Sequence, residues 1–182
     1  MICDVEHSAR VRTPPPRVAG RIGPWVWTAS GNLEPVRQPL TDGFVTIRPL
    51  REGDAARLIA GRDAEWQRWL GPGSANPRPT ACIVVGDEVV GWVDFDVDRS
   101  WLQSGEVNVG YNVFAAHRGS GYASRAVELL IRHLAESTAF DAATLVIHPD
   151  NAASLAVAAK CGFVPNGEIE SSRYFKRLIK SA

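Results

Sequence analysis

The run His117-Arg118-Gly119-Ser120-Gly121-Tyr122-Ala123-Ser124 constrains this chain most, because of what flanks it. Val107 to Val113 alternates as a strand does. Apolar residues at Ala123, Ala126, Val127, Leu130, Ile131 and Leu134 then follow at the spacing of one buried helix face. A strand, a glycine-bearing turn and a helix are therefore predicted in that order. Gly119 and Gly121 carry no Cβ, so the backbone can turn sharply and come close to a ligand. The first turn of the helix offers unpaired N–H groups and the positive end of its dipole, which together suit a phosphate. The dinucleotide fingerprint does not fit, since there is no third glycine. A P-loop does not fit either, since no Gly-Lys-Ser/Thr follows. The plainer alternative is a glycine turn that merely caps a helix.

A second segment weighs against that alternative. Asp150 or Asn151 can cap a helix through the alanine-rich stretch Ala152 to Lys160, and Gly162 can end it in a left-handed conformation. The apolar run from Ala143 to Ile147 ahead of it reads as a buried strand. Arg118-x-x-Gly121-x-Ala123 resembles the acyl-CoA pyrophosphate loop of the GNAT N-acetyltransferase superfamily. Asn151, Ser154 and Lys160-x-Gly162-Phe163 resemble the signature of its RimJ/RimL branch. Leu40 to Ala55 resembles the opening strand and first helix of the same branch, so the resemblance spans residues 40 to 180.

The resemblance implies a mixed α/β fold of the acyl-CoA N-acyltransferase type, in the order β-α-α-β-β-β-α-β-α-β-β. It further implies acetyl-CoA as acyl donor and a primary amine, in a small molecule or a peptide, as acceptor. Gly119, Ser120, Gly121, Tyr122, Ala123 and Ser124 would hold the pyrophosphate through backbone N–H groups, with Arg118 adding charge. Val113 and Phe114 would pair with the pantetheine amides, and Asn151 would reach the same arm. Ser154, one turn along from Asn151, would lie near the thioester sulfur. Relatives place a tyrosine further along this helix; here that position holds Ala158. Relatives also carry a glutamate where Asn108 stands, which leaves Glu106, two residues earlier on the same strand face, as the expected base. The alternative reading of Glu106 is a solvated carboxylate after a Ser-Gly turn.

Asp94, Asp96 and Asp98 share a strand face with Trp92. They read either as a solvated edge or as an acidic, aromatic mouth in which Trp92 and Asp94 meet a cationic amine. No metal is expected, because His7, His117, His133 and His148 share no ligand spacing. The net charge of zero suggests neither nucleic acid nor an anionic membrane surface as partner. Cys3, Cys82 and Cys161 form no disulfide framework, which points to a reducing cytoplasm.

Residues 1–39 read as an extension to a domain at 40–182. Pro14-Pro15-Pro16 with Arg10, Arg12 and Arg17 predicts a flexible, extended arm over residues 1–24. Trp25 and Trp27 predict that 25–39 pack on the body. An arm reaching a second subunit would make a homodimer. The competing functional reading is a GNAT-shaped module that senses acyl-CoA without turnover.

Overall fold

The structure, a computed structural model, describes residues 36–180. The predicted proline-rich arm and Trp25 and Trp27 lie outside the described residues. Eight strands form one sheet: β1 (Leu40–Thr41), β2 (Thr46–Arg48), β3 (Ala81–Val85), β4 (Glu88–Asp96), β5 (Glu106–Val113), β6 (Ala142–Ile147), β7 (Val164–Ile169) and β8 (Ser172–Leu178). Four helices interrupt them: α1 (Asp54–Ala60), α2 (Ala64–Leu70), α3 (Tyr122–Ser137) and α4 (Ala152–Lys160). The spatial order is β1-β2-β3-β4-β5-β6-β8-β7. Every neighbouring pair is antiparallel except β5 and β6, which are parallel because α3 crosses between them. The predicted element order holds, with β1 as a short addition in front.

The amphipathic pattern read for α3 is the reason for the main core. Ala126, Val127, Leu130, Ile131 and Leu134 meet Ile47, Val93, Val107 and Val109 from the sheet, and Ala158, Cys161 and Phe163 join from α4 and the turn after it. Val36, the first described residue, is buried in the same cluster. On a second, smaller cluster Leu58 of α1 packs with Cys82, Val84 and Val89. Among the described residues no helix is long and apolar enough to cross a membrane.

The cap position of α1 belongs to Gly53, and Asp54 is the first helical residue rather than the cap. Its carboxylate instead turns inward, fully buried, and accepts from Arg48 Nη1 at 2.6 Å, Arg48 Nη2 at 3.2 Å and the Arg51 N–H at 2.7 Å. Hydrogen bonds from Arg48 lead the causes that hold this carboxyl well below the usual aspartate range, against the opposing effect of burial. The pair ties the end of β2 to the start of α1. Arg48→Met should cost about 3 kcal/mol of stability, because it leaves the buried Asp54 carboxylate with only the Arg51 N–H and the exposed Arg57 guanidinium at 3.2 Å. The Asp54 carboxyl is depressed in the fold, so its contribution is complete above its unfolded pKa of ~3.9 and fades as pH falls further. Urea melts of the two proteins from pH 7 to pH 3 check both points: the gap between them should narrow on the acid side.

Candidate active site

The parallel pair β5 and β6 is joined only at Glu106, Val107 and Asn108, opposite Ala142, Ala143 and Thr144. Beyond Asn108 the strands splay. The Phe114 N–H donates to Val90 O in β4 at 2.8 Å, so alternate β5 residues turn their backbone groups to β4. Val109, Tyr111 and Val113 therefore present theirs to the opened gap. The expected pair of backbone contacts thus reduces to the Val113 N–H, because the Val113 carbonyl accepts from Arg118 Nε and Phe114 is committed to β4 with its ring packed on the second cluster.

A cavity of about 390 Å³ fills one side of this gap, and one of about 600 Å³ the other. Both are bordered by Trp69, Leu70, Tyr111, Asn151 and Ser154, so these five residues stand where the two cavities meet.

The smaller cavity is built around the N-terminus of α3. Gly119 and Gly121 both adopt φ of +78°, a conformation that favours glycine. A Cβ on Gly119 would enter open space, and one on Gly121 would come 3.7 Å from Lys160 Nζ. α2 is capped by Asp63 and α4 by Asn151, whose side chain accepts from the Ser154 N–H at 3.1 Å. No side chain caps α3. Its first N–H groups face the cavity bordered by Gly119, Gly121, Tyr122, Ala123 and Ser124, ready for an anion. Ala153, Ala156 and Val157 of α4 form the facing wall and leave the space open.

Arg118 borders this cavity, but its guanidinium is spent. It grips Asp63 at 2.6 and 2.9 Å and donates from Nε to Val113 O at 3.0 Å. It ties the glycine loop to α2 rather than standing free for a phosphate. Among the described residues, the cation without an ion-pair partner on this wall is Lys160, at the end of α4. It was legible as the lysine of Lys160-x-Gly162-Phe163 but was not assigned a role. Ser120 does not border the cavity.

Tyr111 was also missed. Its part-buried hydroxyl donates to the Ser154 carbonyl at 3.4 Å, and burial pushes it up to about 12. The signal was Gly110-Tyr111 on β5, which alternation alone assigned to the strand. Ala158 is fully buried in the core, so the α4 position expected to carry a tyrosine does not face the cleft. Asn112 borders the smaller cavity with a buried side-chain Nδ2 that finds no hydrogen-bond acceptor among the described residues, a signal no local pattern carries.

Glu106 stands outside both cavities. Its carboxylate is buried and takes hydrogen bonds from Tyr174 Oη at 2.7 Å and the Gln103 N–H at 2.9 Å, with Lys176 Nζ at 2.5 Å. Burial alone would raise its carboxyl, but Lys176, Gln103 and Tyr174 together hold it below the ordinary glutamate range. It braces β5 against β8 and is badly placed and badly poised to serve as a base.

Trp92 and Asp94 likewise do not border the cleft. β4 is interior to the sheet, not an edge. Trp92 packs on the second cluster, and Asp94 accepts from the Thr80 N–H and Oγ1 at 2.9 and 2.6 Å. Burial raises the Asp94 carboxyl above the usual range despite these bonds. The expected acidic mouth is therefore a set of strand-bracing contacts.

Residues 45–164 match the family model of the acetyltransferase (GNAT) domain. No curated protein sequence matches the chain. Among solved structures, RimJ of Mycobacterium smegmatis, determined with CoA-disulfide, is similar at 20% identity and a TM-score of 0.60, over 74% of this chain and 81% of its own. RimL, a ribosomal L7/L12 alpha-N-protein acetyltransferase determined with coenzyme A, is similar at 18% identity and a TM-score of 0.63, over 80% and 98%. The aminoglycoside acetyltransferase AAC(6')-Ib, also with coenzyme A, is similar at 17% identity and a TM-score of 0.64, over 74% and 94%.

Proposed function

The chain belongs to the GNAT acetyltransferase family, and on that premise we propose that it moves an acetyl group from acetyl-CoA to a primary amine by direct attack in a ternary complex. The observation that carries this reading is the splay of β5 from β6, open on both sides and flanked by the uncapped N-terminus of α3. RimJ and RimL relatives with coenzyme A support the donor. Acceptors named for the relatives range from a ribosomal protein to aminoglycosides.

The residues divide the work. The N–H groups of Tyr122, Ala123 and Ser124 and the Lys160 ammonium hold the pyrophosphate. The backbone of Val113 and Tyr111 lines the pantetheine arm as an added strand would. A β5 N–H facing the gap polarises the thioester carbonyl. The amine nitrogen attacks the carbonyl carbon from the larger cavity, the carbon–sulfur bond breaks, and the amine sheds a proton. Ser154 and Tyr111, at the junction of the cavities, supply hydrogen bonds to the departing thiolate. His148 borders the larger cavity, and the amine's proton leaves past it to solvent.

The test is a mixture of protein, acetyl-CoA and a panel of amines, followed by free-thiol release and product mass. The expected result is thiol release that depends on an amine, matched by an amine heavier by one acetyl group. Tight CoA binding without amine-dependent release would make the chain a sensor instead.

A further inference from the structure

The larger cavity carries a charge pattern opposite to the acidic mouth expected from β4. Among the described residues, Arg68 is the permanently charged side chain on its border, and no carboxylate borders it. Arg68 projects from the exposed side of α2 and has no ion-pair or hydrogen-bond partner among the described residues. Its guanidinium lies over the Trp69 ring, 4.4 Å from the centroid.

Trp69 is itself fixed from two sides. Its Nε1 donates to Glu65 Oε2 at 2.8 Å, and its ring sits 5.4 Å from that of His148 at the end of β6. Stacking uses the flat face of a guanidinium and leaves the N–H groups on its edge unspent. Neighbouring arginines differ: Arg62 donates to Pro72 O and Ser74 O, and Arg118 to Asp63 and Val113 O. The carboxylates that touch this cluster are engaged by it, Glu65 by the Trp69 indole and Asp150 by His148 at 3.8 Å.

A fixed, unpaired guanidinium fork on the acceptor side suits one ligand chemistry, an oxyanion bound through two N–H groups. We propose that the acceptor amine carries a carboxylate or phosphate a few bonds from its nitrogen, and that Arg68, stacked on Trp69, selects it. This rests on the reading of the cleft as an acetyl-transfer site. A polycationic amine would meet Arg68 with no countercharge on the cavity border.

The test uses the full chain with acetyl-CoA and matched amines at equal free-base concentration. The small amines are 3-aminopropanoate, phosphoethanolamine, ethanolamine and 1,3-diaminopropane; the peptides are Asp-Ala-Ala and Asn-Ala-Ala amides. The expected kcat/KM is about 10- to 100-fold higher for the anionic member of a pair than for the neutral one, with the diamine lowest. A preference confined to the small amines or to the peptides identifies the source of the anion.

In Arg68→Met, which keeps an apolar stem on Trp69, the anionic-to-neutral ratio should fall towards one. In Arg68→Glu the diamine should overtake the anionic amines. Acetylation of amines with no charge preference, or a preference that survives in Arg68→Met, overturns this proposal and leaves the transferase reading standing. Failure of every amine, with acetyl-CoA bound, overturns the transferase reading and this proposal with it.

Discussion

Replacing Gly121 with aspartate is expected to weaken CoA binding by about 100-fold or more while the protein stays folded. Three effects act together. Aspartate puts a side chain on a residue held at φ +78°, it places a negative charge where the pyrophosphate is proposed to sit, and it neutralises the positive end of α3. Aspartate is also a preferred N-cap, so its carboxylate would take the N–H groups that the ligand needs. That same property protects the helix, which is why affinity should collapse and the fold should not. Titration calorimetry gives the affinity, and a thermal melt gives the fold. Gly121→Ala adds the backbone strain without the charge, and should lose much less affinity. Equal losses in the two variants would mean that strain, and not anion binding, dominates at this turn.

Removing the hydroxyls at the cavity junction should have the second large effect, this time on turnover. Ser154→Ala and Tyr111→Phe are each expected to lower kcat by ~10- to 1000-fold with CoA affinity nearly unchanged, the range seen when one hydrogen bond to a developing anion is lost. Burial pushes the Tyr111 hydroxyl up to about 12, so it stays neutral at working pH and acts as a hydrogen-bond donor. Neither variant should therefore move the pH–rate profile near neutrality. If both groups serve the same sulfur, the double variant should lose less than the product of the single losses. Wild-type kcat in Ser154→Ala would remove that residue from the reaction, and wild-type kcat in Tyr111→Phe would do the same for its hydroxyl.

The parts of this site legible from sequence are those written in local patterns. Glycines after a strand, a 3.6-residue apolar period and an Asn-x-x-Ser helix start gave the turn, α3 and the N-terminus of α4 to within two residues. Local spacing could not show what distant strands do to a side chain. Glu106 and Asn108 do share a strand face, yet the partners that take Glu106 out of play, Tyr174 and Lys176, come from the far end of the chain. Local pattern leaves Arg118 a free cation, because Asp63, its partner, caps a helix far back in the sequence. Asp94 was read as solvent-facing because alternation does not tell an edge strand from an interior one. The Arg68, Trp69 and His148 cluster depends on α2 meeting the end of β6, which no local period encodes.

The most direct test of the central claim, that acetyl-CoA is held in the splayed cleft by the N-terminus of α3, is amide hydrogen exchange with and without CoA. Slowed exchange is expected at Gly119 to Ser124 and at Tyr111 and Val113, with the β7 and β8 amides unchanged. CoA binding that leaves the amides of Gly119 to Ser124 exchanging at their free rate, or that protects a different part of the sheet, would contradict the account.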